Sequence, residues 1–272
     1  EHGFYFLNMT GFSRALHIAL SRFGAKISDK TIVINRHDFD LALQEKIVEK
    51  DNLVLCPVGL GVNLDRFRTE INITELKSEL SISEDTAVII FVGRLNIEKG
   101  CREVIWAVEQ INSAPQKFCL LIVGPSESGM KEELEKSALE LNVKGKVHFL
   151  GERQDIPQLL ASSDMLVLPS YREGLGMVLL EAAAAGKPAI TTNTRGCRDV
   201  VVHGETGLLV PPGAVRELAE AILDLLQNAD KRKRLGEAAR RRAEEKFDQK
   251  LLFDQMDDLY KHLLQEKGIL TQ

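Results

Sequence analysis

The 272-residue chain lacks several features that would assign it to a class at once. No apolar stretch approaches the ~20 residues that a membrane-spanning helix needs, and no signal-peptide pattern is visible. The net charge of −5 gives no reason to expect nucleic acid as a partner. No metal-ligand spacing links the four cysteines, which are Cys56, Cys101, Cys119 and Cys197. These absences argue against a transmembrane protein and a zinc protein, and they favour a reducing, cytoplasmic location.

Strand-like and helical patterns alternate along almost the whole chain. The strand-like segments are continuous Val, Ile and Leu runs, as expected when helices cover both faces of a parallel sheet. Strands are predicted at 31–35, 52–56, 87–93, 118–123, 146–150, 164–168, 188–192 and 207–210. Helices are predicted near 11–26, 40–50, 99–112, 129–142, 155–162, 176–185, 214–228, 230–246 and 248–266. We therefore predict an α/β fold with a doubly wound, Rossmann-like parallel sheet.

A Pro- and Gly-containing segment from Cys56 to Asn63 reads as a linker. Residues 1–62 hold two strand signals, too few for a complete α/β domain, so we interpret them as the end of a larger one. Residues 63–247 form a complete unit, and 248–272 form a C-terminal helix. The chain opens like the middle of a protein, and we expect it to be part of a longer one.

Two glutamates eight residues apart, Glu173 and Glu181, are the most informative feature of the sequence. Glu173 follows a predicted strand, and Glu181 lies about one turn inside the next predicted helix. Between them, glycine-rich backbone presents free N–H groups at a helix N-terminus, where an anion binds readily. Glu181 could be an ordinary surface residue, but its apolar neighbours predict a buried helix. A buried carboxylate is costly without a partner, so we favour a ligand site.

Glycines and charged residues also follow the other predicted strands. Ligands of a doubly wound sheet bind beyond the carboxyl ends of its strands. Arg94 and Lys99 follow one strand and have the chemistry to hold a diphosphate, although surface charges on a solvated loop would look the same. The loop Gly151-Glu152-Arg153 follows another strand. Together these loops predict one site along one edge of the sheet.

Two further segments have plain structural explanations. Asp38-Phe39-Asp40 could hold a divalent metal, but Asp38 or Asp40 just ahead of a helical pattern is more simply an N-cap. The basic segment from Lys231 to Arg242 is interspersed with glutamates and reads as a solvated helix. Contact of this helix with an anionic membrane is the alternative.

With these residues assembled, the chain resembles the group 1 (family 4) retaining glycosyltransferases of GT-B architecture. The resemblance covers nearly the whole chain and is strongest from Val92 to Pro212. The matching stretches include Val92-Gly93-Arg94-Leu95, Glu98-Lys99-Gly100, Phe149-Leu150-Gly151, Arg172-Glu173-Gly174 and Gly204-Glu205-Thr206-Gly207. The ordered set is specific, although any single stretch is not. Two departures look tolerable: Gly176 stands where many relatives have Pro, and Asn63 where many have Asp.

The resemblance implies a role for each matching residue. Arg94 and Lys99 would neutralise the donor diphosphate, Glu173 would hold sugar hydroxyls, Glu181 would hold the ribose, and His2 would orient the donor sugar. The catalytic set is then Arg94, Lys99, Glu173 and His2. The donor-binding set is Gly93, Gly151, Glu152, Arg153, Gly174, Leu175, Gly176, Met177 and Glu181. Residues 1–62 would be the end of the acceptor domain, 63–247 the donor-binding domain, and 248–272 a helix crossing back toward the acceptor domain.

The implied reaction moves a sugar from a nucleotide diphosphate sugar, with UDP expected, to an acceptor hydroxyl with retention of configuration. It needs no metal or other cofactor. The expected partners are the nucleotide sugar and a glycan or lipid-linked acceptor of surface polysaccharide biosynthesis, with no nucleic acid. Peripheral attachment to the inner face of the membrane and the oligomeric state are left open. Because the chain is short for this family, the alternative is a non-catalytic module that binds nucleotide sugars.

Overall fold

The computed structural model describes residues 4, 9–56, 61–67 and 77–270. Two compact units divide the chain: one is drawn from residues 1–61 and 246–272, and the other from residues 62–245. His2, a predicted site residue, lies outside the described residues. The roles predicted for 1–62, 63–247 and 248–272 stay predictions.

The first unit contains a small parallel sheet. Its elements in chain order are α1 (Gly11–Ile27), β1 (Thr31–Val33), α2 (Arg36–Gln44) and β2 (Leu53–Leu55). The two strands are parallel and pair Thr31 with Leu53 and Val33 with Leu55. A short turn of 3₁₀-helix, Lys50–Asn52, precedes β2. The buried core consists of Phe4, Ile18, Val33, Leu41, Ala42, Ile47 and Leu53.

Helix α2 (Arg36–Gln44) begins and ends earlier than the helix predicted at 40–50, and its N-cap differs from the predicted one. The N-cap is Asn35, whose side-chain oxygen accepts from the backbone N–H of Asp38 at 2.8 Å. The Asn35 amide in turn donates to the Asp38 carboxylate at 2.7 Å, and Asp38 is fully buried. Asp38 therefore lies inside the helix as the partner of the cap, and the prediction that Asp38 or Asp40 is the cap was wrong.

The second unit is built on six parallel strands. They are β3 (Ala87–Val92), β4 (Phe118–Val123), β5 (Val147–Gly151), β6 (Met165–Leu168), β7 (Ala189–Thr192) and β8 (Gly207–Val210). The order across the sheet is β5-β4-β3-β6-β7-β8, and all neighbours are parallel. Every residue of β4, β6 and β7 is buried, as expected for a sheet covered on both faces. The sheet confirms the predicted α/β class.

Helices follow each strand of this sheet. They are α3 (Cys101–Gln110), α4 (Met130–Glu140), α5 (Ile156–Ala161), α6 (Met177–Ala184), α7 (Arg195–Val200), α8 (Val215–Gln227) and α9 (Ala229–Lys246). Short 3₁₀ turns lie at Leu64–Phe67, Ile97–Lys99 and Lys144–Lys146. Helix α7 was not predicted, because its six residues are too few for a helical period to stand out. The last helix, α10 (Gln249–Glu266), belongs to the first unit, and none of its residues is buried.

The basic helix α9 is less solvated than predicted. Arg232 donates to the carbonyl oxygens of Leu225 and Leu226 near the end of α8. Arg240 donates to the carbonyl oxygen of Ala184 at the end of α6. Arg242 donates to the Val200 and Asp199 carbonyls at the end of α7. These three arginines cap the C-terminal ends of three helices, where cations are favoured.

Candidate functional site

Lys99 and Glu173 meet at the edge where the strand order of the larger sheet reverses. Strands β3 and β6 are neighbours there, and the chain runs outward from them in opposite directions. Lys99 follows β3, Glu173 follows β6, and Lys99 Nζ lies 2.6 Å from Glu173 Oε1. The Glu173 side chain is 8% exposed and that of Lys99 is 21% exposed. A crevice at such a reversal, beyond the carboxyl ends of the strands, is where doubly wound sheets bind ligands.

The backbone around Lys99 is fixed by a cap and a close contact. The Asn96 side chain accepts from the Lys99 N–H at 3.0 Å and caps the 3₁₀ turn. Gly100 then adopts a left-handed conformation, with φ of 70°. A Cβ atom at Gly100 would lie 2.3 Å from the carbonyl oxygen of Pro169, so only glycine fits. The loop after β3 is therefore packed directly on the loop after β6.

Ser170 orients Glu173. Its hydroxyl donates to Glu173 Oε1 at 2.7 Å, and Ser170 itself is fully buried. Thr192, at the end of β7, donates its hydroxyl proton to the Ser170 carbonyl oxygen and holds this loop in place. Oε1 of Glu173 thus accepts hydrogen bonds from both Lys99 and Ser170. Oε2 accepts no hydrogen bond from any side chain of the described residues. The second oxygen remains available to accept hydrogen bonds from a ligand.

The N-terminus of α6 lies directly after Glu173. Gly176 is its N-cap in a left-handed conformation, and no side chain caps the helix. The first amides of a helix have no partner within it, and anion binding by the backbone from Gly174 to Met177 stays a prediction. The Leu175 side chain is buried and anchors this segment. A Cβ at Gly196 would lie 2.5 Å from the Glu173 carbonyl oxygen, so α7 packs tightly against the same backbone.

Glu181 is the fifth residue of α6 and is largely shielded from solvent. Burial raises the pKa of its carboxyl group above the ordinary 4.5, and the charge of Arg66 partly offsets this increase. Arg66 belongs to the 3₁₀ turn Leu64–Phe67, which packs against α6. A shielded carboxylate facing a cation suits a role in accepting hydrogen bonds from hydroxyl groups.

The two arginines predicted for the site, Arg94 and Arg153, form ion pairs with acids other than Glu173. The Arg94 side chain is 64% exposed, and its Nη1 lies 4.0 Å from Glu127 Oε1. Arg153 pairs with Asp155 at 2.7 Å and with Glu79 at 3.3 Å, and these contacts raise the pKa of its guanidinium. Two acids already neutralise Arg153, which the sequence did not indicate.

The glycines that end β3, β4 and β5 lie side by side. The Gly93 N–H donates to the Val123 carbonyl oxygen at 2.9 Å, and the Gly124 N–H donates to the Gly151 carbonyl oxygen at 2.7 Å. Glu152, directly after β5, is exposed. Gly93, Gly151 and Glu152 therefore line the same carboxyl edge as Lys99 and Glu173.

Three residues beside the site, Asn96, Ser170 and Arg66, were not predicted from the sequence. Asn96 stands three residues before Lys99, a spacing typical of a cap, and could have been found. Ser170 follows a buried strand and is separated from Glu173 by two residues, which is a weak signal. Arg66 left no signal, because its proximity to Glu181 depends on the tertiary fold.

In the described part of the chain, no cluster of three or more His, Cys, Asp or Glu side chains is placed to hold a metal ion. The expectation of a donor site without metal stays a prediction. Among the described residues, no helix is both long and apolar enough to cross a membrane.

Comparison with known proteins identifies the family. A family model described as glycosyl transferases group 1 matches residues 72–242, and the chain belongs to this family. The resemblance stated from the sequence is thereby confirmed.

Individual relatives agree with the family. The chain is 32% identical over 206 residues to the Staphylococcus aureus capsular polysaccharide biosynthesis glycosyltransferase CapM, covering 76% of this chain and 54% of that protein. It is 31% identical over 247 residues to the Bacillus anthracis N-acetyl-alpha-D-glucosaminyl L-malate synthase, covering 91% of this chain and 63% of that protein. The chain thus spans between half and two thirds of the length of these two relatives.

A solved structure shares the fold. The Anabaena protein HepE in complex with UDP superimposes with a TM-score of 0.85 at 24% identity, covering 96% of this chain and 71% of that protein. At this identity the likeness bears on the fold alone.

Proposed function

We propose that residues 62–245 bind the donor of a retaining glycosyl transfer, a nucleoside diphosphate sugar with UDP as the nucleotide. The observation that carries this proposal is the Lys99–Glu173 pair, which places a cation and a carboxylate at the strand-order reversal beside the free amides of α6. The cation and amides suit a diphosphate, and the carboxylate suits sugar hydroxyls. The solved complex of HepE with UDP supports the choice of nucleotide.

In this proposal Lys99 contacts the diphosphate of the donor, and Glu173 contacts its sugar. Lys99 Nζ keeps its contact with Glu173 Oε1 and directs its remaining protons to the diphosphate. Glu173 Oε2 accepts hydrogen bonds from the donor sugar. As the bond from the anomeric carbon to the diphosphate oxygen breaks, negative charge develops on the phosphate. Lys99, Arg94 and the first amides of α6 stabilise that charge, which lowers the barrier.

The acceptor hydroxyl attacks the anomeric carbon from the face that the diphosphate leaves. Its oxygen forms the new glycosidic bond, and its proton passes to an oxygen of the departing diphosphate. Because the attack and the departure share one face of the sugar, the configuration is retained without a protein nucleophile. Glu181 accepts hydrogen bonds from the ribose hydroxyls in this proposal, and the role of His2 stays a prediction from the sequence.

Relatives named for glycan synthesis support an acceptor in that class. CapM is named for capsular polysaccharide biosynthesis. An Escherichia coli relative is named as a galactosyltransferase that acts on a diphosphoundecaprenol-linked sugar. We infer a glycan or lipid-linked acceptor for the complete enzyme.

Calorimetric titration with UDP tests the proposed site. Lys99→Ala and Arg94→Ala each remove a cation from the diphosphate and are expected to weaken UDP binding by roughly 1.5–3 kcal/mol. Lys117→Ala is the matched control, because Lys117 precedes β4 at the opposite edge of the sheet and pairs with Asp85. Unchanged UDP affinity in both site variants would contradict the assignment.

A non-catalytic module that binds nucleotide sugars is the second candidate. The observation in its favour is that the chain spans 54% and 63% of two relatives. Transfer of labelled sugar to a glycan acceptor separates the two functions. Donor binding without transfer, in this chain and in any longer form of it, would favour the module.

A further inference from the structure

Glu127 places a negative charge beside the proposed diphosphate site. It lies in the loop after β4, and its side chain is about half exposed. Its Oε1 accepts a hydrogen bond from the Asn96 side-chain amide at 2.7 Å and lies 4.0 Å from Nη1 of Arg94. An acid at this position repels a diphosphate and disfavours its binding, unless the acid also stabilises the groups that bind the phosphates.

Two backbone hydrogen bonds join the loop of Glu127 to the loop after β3. The Leu95 N–H donates to the Pro125 carbonyl oxygen at 2.8 Å, and the Glu127 N–H donates to the Leu95 carbonyl oxygen at 3.2 Å. A Cβ atom at Gly124 would collide with the Gly93 carbonyl oxygen, so the loops approach this closely only because residue 124 is glycine. The backbone of both loops therefore fixes the position of Glu127, although its side chain reaches solvent.

Asn96 is the buried link between Glu127 and Lys99. It is 6% exposed, and its side-chain Nδ2 donates to Glu127 while its Oδ1 accepts from the Lys99 N–H at 3.0 Å. The Asn96 backbone carbonyl oxygen accepts from the Cys101 thiol at 3.1 Å. Buried polar groups need hydrogen-bond partners, and the Asn96 amide uses one end for Glu127 and the other for Lys99.

The carboxylate of Glu127 also determines which way the Asn96 amide points. An ionised carboxylate only accepts hydrogen bonds, so the amide nitrogen must face it. The amide oxygen then faces the Lys99 N–H and caps the 3₁₀ turn Ile97–Lys99. A reversed amide would leave the Lys99 N–H and both ends of the amide without partners, which is costly in a buried position. Lys99 in turn contacts Glu173, since its Nζ lies 2.6 Å from Oε1 of that residue.

We propose that Glu127 is a positioning residue of the donor site and acts through Asn96 on Lys99. Glu127 does not contact the donor in this inference, which rests on the proposed donor site. It holds the backbone from which the Lys99 side chain reaches both the diphosphate and Glu173. Its contact with Arg94 contributes less, because solvent screens a 4.0 Å pair between two largely exposed side chains.

Two possible roles of Glu127 predict opposite effects on UDP affinity. If Glu127 only competed with the diphosphate for Arg94, removing its charge would strengthen UDP binding. If it positions Lys99, Glu127→Ala should weaken UDP binding about tenfold in calorimetric titrations. Glu127→Gln keeps an oxygen that can accept from the Asn96 amide, so its UDP affinity should stay within about threefold of that of the unchanged chain.

UMP and a second acid serve as controls. UMP lacks the second phosphate, so Glu127→Ala should change its affinity less than about threefold, and equal losses for UMP and UDP would overturn the positioning role. Glu133→Ala removes an acid of similar exposure that pairs with Arg102, and both affinities should stay within about twofold. When Asn96→Ala is already present, Glu127→Ala should cost less than about twofold more, because the link to Lys99 is already broken.

Exchange of the Lys99 amide proton, followed by NMR, tests the positioning without any ligand. Asn96 Oδ1 holds that proton, so Glu127→Ala should speed its exchange at least about tenfold and Glu127→Gln at most about threefold. If the unchanged chain does not bind UDP, the proposed donor site is contradicted, and this exchange still decides the role of Glu127. The inference is overturned, and the donor site stands, if Glu127→Ala binds UDP as tightly as the unchanged chain. An unchanged exchange rate of the Lys99 amide in Glu127→Ala overturns it as well.

Discussion

The two units of the chain differ in how completely they cover their apolar residues. The unit from residues 62–245 buries a six-stranded sheet, and every residue of its strands β4, β6 and β7 is buried. In its described residues, the unit from residues 1–61 and 246–272 has a two-stranded sheet, exposed apolar side chains on α1 and no buried residue in α10. The larger unit therefore has a core that fixes the loops carrying Lys99 and Glu173, whereas the smaller one leaves apolar side chains of α1 exposed.

The comparison between the units is tested most strongly by one core substitution made in each. Ile90→Ala removes a fully buried side chain from the central strand β3, and we expect it to cost about 2–5 kcal/mol of unfolding free energy. Ile18→Ala makes the same change in α1, where Ile18 is 6% exposed and the small core can relax, so we expect a loss below about 2 kcal/mol.

The two losses are measured by different signals. Trp106, the only tryptophan, lies in α3 and reports urea unfolding of the larger unit. Hydrogen exchange of the amides in α1 and β1 reports the smaller unit. Equal losses at the two positions would remove the proposed difference in core strength.

A smaller effect is expected from a substitution at Gly100, beside Lys99 at the carboxyl edge of the larger sheet. Gly100→Ala would place a Cβ atom 2.3 Å from the Pro169 carbonyl oxygen at a φ of +70°. The Lys99 loop must then shift, which should lower stability by about 1–3 kcal/mol and weaken UDP binding as well.

Gly145→Ala is the control for this substitution. Gly145 does not have a left-handed φ, and a Cβ there would meet no heavy atom within 4 Å. We expect a stability change within about 0.5 kcal/mol and unchanged UDP affinity. If Gly100→Ala changes neither the melting temperature nor the UDP affinity, the loop at Gly100 is less tightly packed on Pro169 than the contact indicates.

The smallest expected effect concerns the pH dependence of UDP affinity, which Glu181 should control. Burial raises the pKa of Glu181 above 4.5, so the carboxylate becomes protonated at a higher pH than usual. If the carboxylate accepts hydrogen bonds from ribose, UDP affinity is full above the raised pKa and falls as the pH decreases through it. Glu181→Gln should remove this dependence and weaken binding at neutral pH about three- to tenfold.

The stability of the fold should respond to the same group with the opposite sign. The folded state favours the protonated Glu181, so its contribution to stability is lost as the pH rises from 4.5 through the raised pKa. Glu109→Gln, a change at an exposed residue of α3, should alter neither profile. Titrations with UDP and thermal melts across this pH window measure both, and a profile that Glu181→Gln leaves unchanged would contradict the assignment.

Much of the fold and part of the site could be predicted from local patterns. Continuous apolar runs predicted the parallel strands, because a strand covered on both faces has no polar side. Gly100 and Gly176 marked the loops after β3 and β6. The short helix α7 and the start of α2 were missed, since one lacks a full helical period and the other depends on the pairing of Asn35 with Asp38.

Local patterns on the chain establish the α/β class, the family and the loops that carry Lys99, Glu173 and Glu181, because these depend on periodicity and spacing between near neighbours. Tertiary structure decides which of those residues meet. Lys99 contacts Glu173 across 74 positions of the chain, Arg66 lies near enough to Glu181 to influence its pKa, and Ile18 of α1 packs in the smaller core. Such contacts arise when strands β3 and β6 become neighbours and when a helix turns one face to its core, and spacing along the chain does not encode either event.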